Sequence, residues 1–165
     1  MTILSTTLAT LTSIVGRAGN SRTSNFRPLS CEEDLTCTEE EIITMNRFLK
    51  EKILASEFRL FCTLRKRDQC MNLYDEIQRF HEQTENKRHI ASIIHDLFLR
   101  YDSNFKVDIY VDSNLIRSIT QDVKSGIIPQ RGIELLEVLT IKRICELFTE
   151  FQTTSPRGRR WQDTL

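Results

Sequence analysis

Residues 58–80, FRLFCTLRKRDQCMNLYDEIQRF, contain two apolar helical patterns separated by a short charged break. Before the break, Phe58, Phe61 and Cys62 fall at i, i+3 and i+4, which is one face of a helix. After the break, apolar side chains recur at helical spacing at Leu73, Tyr74, Ile77 and Phe80. We therefore predict a polar loop held at each end by a packed helix, which is a favourable place for recognition residues.

The break consists of Arg65, Lys66, Arg67 and Asp68, whose charges are costly to bury. Asp68 is a good N-cap, so a helix is predicted to begin at Gln69. Adjacent charges also occur in loops that merely keep a helix connection in water, where exposed ion pairs contribute little stability. The loop is thus either a recognition surface or a solvated connection.

Composition indicates one ordinary globular domain with some tail in a chain of 165 residues. Lys+Arg and Asp+Glu both number 23, and a formal net charge of zero gives no overall field that would attract nucleic acid. The five cysteines form no CxxC pair, which indicates a reduced, intracellular chain. No apolar run approaches the ~18 residues that span a bilayer.

Residues 1–36 differ in composition from the remainder of the chain, because they are rich in Ser and Thr and contain no acidic residue before Glu32. We expect a flexible N-terminal segment, with a transit peptide or a weak membrane-surface anchor as alternatives. Cys31 or Cys37 could carry a palmitoyl group. We expect a cytoplasmic protein, with peripheral contact at the plasma membrane as an option and mitochondrial import as a lesser alternative.

The helical domain is predicted over residues 37–153, followed by a basic tail over 154–165. It should begin at the capping box Thr38–Glu41, after which Ile42, Met45 and Leu49 repeat at i, i+3 and i+7. A continuous apolar stripe lies farther along, over residues 90–101, with His89 and His95 expected as solvated surface histidines.

In residues 105–111 every second side chain is apolar, which is the period of an extended chain. Phe105, Val107, Ile109 and Val111 should tuck against the bundle as an extended linker, with Lys106, Asp108 and Tyr110 facing outward. Asp112 or Ser113 then caps a further helix that should end at Gly126. Residues 133–151 are apolar on most sides, which predicts either one buried helix or two with a bend near Thr140.

The common enzymatic constellations are missing: the sequence has no glycine-rich phosphate loop, GxSxG, HExxH or cysteine pair at metal spacing. Glu146 and Glu150 are neighbouring acids on one helix, which are normally solvated surface charges. We therefore expect no catalytic residue, no metal and no cofactor.

The order of these elements resembles the RGS domain, the regulator of G-protein signalling family, over about residues 42–151. The family's first block has Phe-x-x-Phe, a polar loop with Asn, an apolar residue, x, Phe-Trp and a later aromatic. The same spacing occurs here at Phe58, Phe61, 65–68, Met71, Leu73, Tyr74, Ile77 and Phe80. Val107-Asp108-Ile109-Tyr110 loosely matches the family's extended connection, and Leu135, Thr140, Arg143 and Ile144 match its closing helix.

The resemblance implies an all-α bundle of about seven to nine helices that binds a heterotrimeric G-protein α subunit. Such domains accelerate GTP hydrolysis by stabilising the switch regions, and thereby inhibit signal transduction, without chemistry of their own. The implied contact surface comprises three segments, in which Arg143 braces the others and Thr140 offers a hydroxyl. Its residues are Arg65, Lys66, Arg67, Asp68, Gln69, Cys70, Asp108, Tyr110, Asp112, Leu135, Leu139, Thr140 and Arg143.

Three positions depart from the family pattern. Cys70 stands where the family has the Asn that touches the catalytic Gln of the α subunit, Leu139 where it has an Asp, and Arg65 where it has an acid. A thiol cannot replace both the donor and the acceptor of an amide. A non-catalytic scaffold on the same fold and an unrelated helical adaptor that binds a partner helix are therefore the alternatives. In the adaptor the three segments would scatter, whereas in the RGS-like fold they converge.

Overall fold

Helical spacing of apolar residues produces helices over most of the part of the chain that the structure describes. The computed structural model describes residues 38–105, 107–156 and 158–159. The predicted segment over 1–36, Cys31, Cys37 and residues 160–165 of the basic tail lie outside these residues.

Six α-helices and one π-helical turn occur within the described ranges, and no strand does. The all-α prediction is therefore confirmed, whereas the count of seven to nine helices is not. Among the described helices, none combines the length and the apolar character needed to cross a membrane. The helices are α1 (Glu39–Lys50), α2 (Lys52–Leu64), α3 (Gln69–Glu82), α4 (Lys87–Ile94), continued by the π-helical turn His95–Leu99, α5 (Ser113–Lys124) and α6 (Gln130–Thr154).

The predicted N-caps Asp68 and Asp112 differ in the structure. Helix α3 begins at Gln69 as predicted, but the carboxylate of Asp68 makes no capping hydrogen bond because the Asp68 backbone is already helical, with φ −66° and ψ −19°. Asp112 does cap α5, since its Oδ1 accepts a hydrogen bond from the Asn114 backbone N–H at 2.6 Å. The chain leaves α5 through Gly126 at φ 69°.

Helix α6 is the central element, in contact with α1, α2, α3 and α5. It runs unbroken through Thr140, so the alternative of two separate helices that meet there is wrong. The Thr140 hydroxyl instead donates to the Leu136 carbonyl of the preceding turn at 2.7 Å. The side chains that α6 buries are Ile133, Leu136, Glu137, Thr140, Ile141, Ile144, Cys145, Leu147, Phe148 and Phe151.

An aromatic cluster joins α1 and α2 to the second half of α6. The Phe48 ring lies 4.3 Å from the Phe148 ring and 5.6 Å from the Phe58 ring, measured between centroids. Phe151 packs on Phe58 at 5.7 Å and on Phe61 at 5.3 Å. Phe48 was not among the core residues predicted from sequence, although it lies three residues after Met45 on the same helical face.

The connection between α4 and α5 alternates as predicted over most of its length. Val107 is buried and Ile109 and Val111 are half-buried, whereas Asp108 and Tyr110 are exposed. Phe105 is an exception at 46% exposure, so its predicted burial is wrong. Lys106 lies outside the described residues.

His95 is not the solvated surface residue that its position in the sequence predicts. It is only 9% exposed, and its ring nitrogens contact Asp96 Oδ1 at 2.8 Å and Thr120 Oγ1 at 3.1 Å. His95 opens the π-helical turn, whose wider spacing departs from the 3.6-residue period on which the assignment of helix faces rests.

We expect Phe48→Ala to lower the free energy of unfolding by about 3–5 kcal/mol, because it removes a ring packed on three others. Ile53→Ala is the control, since Ile53 is 76% exposed, and should change this free energy by less than about 0.5 kcal/mol. Urea denaturation measures both. Equal losses for the two variants would contradict the packing of Phe48.

Candidate functional site

Three segments that are distant in sequence meet at Asp108. Its Oδ2 accepts a hydrogen bond from Arg143 Nη2 of α6 at 2.7 Å. The same oxygen lies 3.9 Å from Arg67 Nε in the loop between α2 and α3. Two of the predicted segments thus contact the third through a single carboxylate oxygen. We call residues 65–70, 107–112 and 135–143 the three-segment surface.

A second carboxylate, Glu150, ties the loop between α2 and α3 to α6. Arg65 Nη1 is hydrogen-bonded to Glu150 Oε1, and Arg67 Nη1 lies 3.3 Å from Glu150 Oε2. The Arg65 guanidinium also stands 5.0 Å from the centre of the Phe61 ring, within the range of a cation–π contact. Both arginines of the loop are therefore held from one position on α6.

Arg143 pairs with two carboxylates. Besides Asp108 it donates to Glu146 Oε2 at 2.7 Å, and its side chain is 22% exposed. Burial acts to lower the Arg143 pKa, but the hydrogen bonds to Glu146 and Asp108 outweigh it and raise the pKa above its ordinary value. The Arg143 guanidinium is thus positively charged at neutral pH and well above it.

These ion pairs orient side chains more than they stabilise the fold. The side chains of Asp108, Arg65 and Arg67 are 68%, 45% and 37% exposed. Exposed ion pairs of this kind contribute only about 0–1 kcal/mol each. Their effect is to hold the loop and the connection in one arrangement relative to α6.

Two of the predicted contact residues are buried. Cys70 is 3% exposed and Thr140 is 0% exposed, because these residues face each other where α3 packs on α6. Cys70 Sγ lies 4.0 Å from the Thr140 carbonyl oxygen, and burial raises the pKa of this thiol to about 12. Neither side chain reaches a partner in this arrangement.

The remaining predicted residues differ in exposure. Tyr110 is 87% exposed, Leu135 is 37% exposed and Leu139 is half-buried. Lys66 is exposed, whereas Asp68 and Gln69 are half-buried. Asp112 uses one carboxylate oxygen to cap α5.

Glu150 also belongs to the candidate site, although neighbouring acids on a helix predict only a solvated surface charge. The sequence contains a pattern that relates Glu150 to the candidate site, since Arg143, Glu146 and Glu150 lie at i, i+3 and i+7 on one face of a helix. The location of Arg65 and Arg67 relative to α6 could not be predicted, because more than 80 residues separate them from Glu150.

A separate polar cluster lies between α3 and α6. The buried carboxylate of Glu137 accepts a hydrogen bond from Gln78 Nε2 at 3.0 Å and lies 3.0 Å from His81 Nε2. These groups satisfy one another across the helix interface. Within the described residues no group of three or more His, Cys, Asp and Glu could hold a metal ion.

No protein-family model, no characterised protein and no solved structure matches this chain. Function is therefore inferred from the residues and the geometry described above.

We expect the free energy of unfolding to fall at alkaline pH. Burial raises the pKa of Cys62 from 9.0 to about 11 and that of Cys70 from 9.0 to about 12. As pH rises, the unfolded chain therefore loses these protons first. The contribution of the two buried thiols to the free energy of unfolding is fully present below about pH 9. It is lost as the pH rises toward 11–12, by up to about 1.4 kcal/mol per pH unit for each thiol.

Urea denaturation at pH 7.5, 9 and 10.5 measures this loss. In a Cys70→Ala chain, which lacks one of the two thiols, the free energy of unfolding should fall less steeply with pH. The same slope in both chains would contradict the assignment of the effect to Cys70.

Proposed function

We propose that this chain binds a heterotrimeric G-protein α subunit through the three-segment surface and accelerates the hydrolysis of GTP on it. One observation supports the proposal above the others: Arg67, Asp108 and Arg143 join the three segments that the resemblance to RGS domains implies as the contact surface. In an unrelated helical adaptor these segments would have no reason to converge.

In this proposal the chain supplies no chemical group of its own. The α subunit carries its own Arg and its own water-positioning Gln, and its switch regions must be held in the arrangement of the transition state. A surface that is already ordered by Asp108 and Glu150 can do this without reorganising during the reaction, which is the requirement for electrostatic preorganisation.

A non-catalytic scaffold is the second candidate, and the burial of Cys70 favours it. The family's Asn at this position presents an amide to the catalytic Gln, whereas Cys70 is 3% exposed and is directed toward the Thr140 carbonyl. Such a scaffold would bind the α subunit and leave hydrolysis unchanged.

A third candidate, an adaptor for a partner helix, is favoured by an apolar stripe on α2. Ile53, Leu60 and Leu64 lie at i, i+7 and i+11 and are 76%, 54% and 77% exposed. Leu64 directly precedes the three-segment surface, whereas Ile53 and Leu60 lie outside it, so variants at Ile53 and Leu60 test the adaptor independently.

The test is single-turnover GTP hydrolysis by a panel of α subunits with and without the full chain, together with binding to their transition-state-mimic form. We expect acceleration of at least one α subunit. Binding without acceleration would establish the scaffold. Neither binding nor acceleration across the panel would reject both and favour the adaptor.

We expect Asp108→Asn to reduce the acceleration about 5- to 10-fold, because the neutral amide holds two guanidinium groups less well. The free energy of unfolding should change by no more than about 1 kcal/mol, since the carboxylate is 68% exposed. Asp122→Asn on α5 is the matched control and should leave the acceleration unchanged. An Asp108→Asn chain that is as active as the unmodified one would remove the support that Asp108 gives.

A further inference from the structure

The loop between α2 and α3 contains the one non-glycine residue among the described ranges that has a positive φ. Lys66 has φ 57°. Its backbone N–H donates to the Thr63 carbonyl at 2.9 Å, and the Arg67 N–H donates to the Cys62 carbonyl at 2.8 Å. These two hydrogen bonds define a Schellman motif that ends α2, with Lys66 at the left-handed position normally occupied by glycine.

The end of α5 provides an internal comparison. There Gly126 occupies the left-handed position with φ 69°. The Gly126 N–H donates to the Val123 carbonyl at 3.1 Å, and the Ile127 N–H donates to the Asp122 carbonyl at 2.8 Å. The same motif thus carries glycine, which has no Cβ to clash, at one helix end and lysine at the other. At this left-handed position lysine is therefore less favourable for the backbone conformation than glycine would be.

The arginines on both sides of Lys66 form ion pairs within the chain, whereas Lys66 itself forms none among the described residues. Arg65 and Arg67 contact Glu150, and Arg67 and Arg143 contact Asp108. Lys66 is exposed and takes part in none of the ion pairs found among the described residues. Its ammonium group thus remains available on a loop whose two neighbouring side chains are held in place.

We infer that Lys66 determines specificity by binding a carboxylate on the partner, which under the proposed function is an acidic residue on the switch surface of the α subunit. Glycine would relieve the backbone strain at this position, so the presence of lysine is explained by a role of its side chain other than stabilising the fold. A lysine ammonium is a compact point charge, and a single carboxylate complements it. Because the chain has a formal net charge of zero, a local acidic residue is a better match than a polyanion.

Three variants separate the charge of Lys66 from its backbone. Lys66→Gly removes the charge and relieves the left-handed strain, so we expect a higher urea midpoint of unfolding together with weaker binding. Lys66→Gln removes the charge alone, so the midpoint should stay the same and the affinity should fall about 5- to 10-fold, the range of one exposed charge contact at a protein interface. Lys66→Arg keeps the charge and should bind within about twofold of the unmodified chain.

The readout is binding of the full chain to the transition-state-mimic form of an α subunit, measured at 50 and 250 mM salt. The loss caused by Lys66→Gln should be larger at low salt, because an exposed charge pair is screened by added ions. Lys52→Gln, at the opposite end of α2, is the matched control for the loss of one exposed lysine and should leave binding unchanged.

The outcomes distinguish this inference from the proposed function on which it rests. If the unmodified chain binds and Lys66→Gln binds equally well at low salt, the role of Lys66 is rejected and the proposed function stands. If the unmodified chain binds no α subunit, both are rejected. A Lys66→Gly chain with higher stability and weaker binding supports the role of Lys66 on both counts.

Discussion

The burial of one apolar face along the whole length of a single helix is the constraint on which the rest of this structure depends. Helix α6 contacts α1, α2, α3 and α5, and its second half ends in the aromatic cluster with Phe48 and Phe58. An apolar face of this length is unfavourable in water, so the other helices pack against it. Their arrangement determines which loops come close to the uncovered edge of α6.

That edge carries Arg143, Glu146 and Glu150, and their charges account for its remaining in water. The loop between α2 and α3 and the connection before α5 meet there, and Arg67 and Asp108 complete the polar network. Apolar burial thus positions the segments, and the ion pairs then fix the orientation of individual side chains. Because the network is largely exposed, it contributes little to stability.

The apolar faces could be predicted from sequence because helical periodicity reports directly which side chains are buried. Phe58, Leu73 and Ile77 are all buried, as their spacing indicated. Family spacing predicts Cys70 in a contact loop, whereas the structure buries it at the start of α3 against α6. The position of His95 off the apolar stripe predicts exposure, whereas Asp96 and Thr120 give its ring polar partners within the fold. Glu150 needed the tertiary fold, since no local pattern relates it to Arg65.

The shared carboxylate of Asp108 has a consequence for how this surface responds to contact. Because one oxygen atom serves guanidinium groups from two other segments, displacement of the connection disturbs the loop and the helix edge at once. A shift of one segment is therefore passed on to the other two, and we expect the three segments to adjust together and not one at a time.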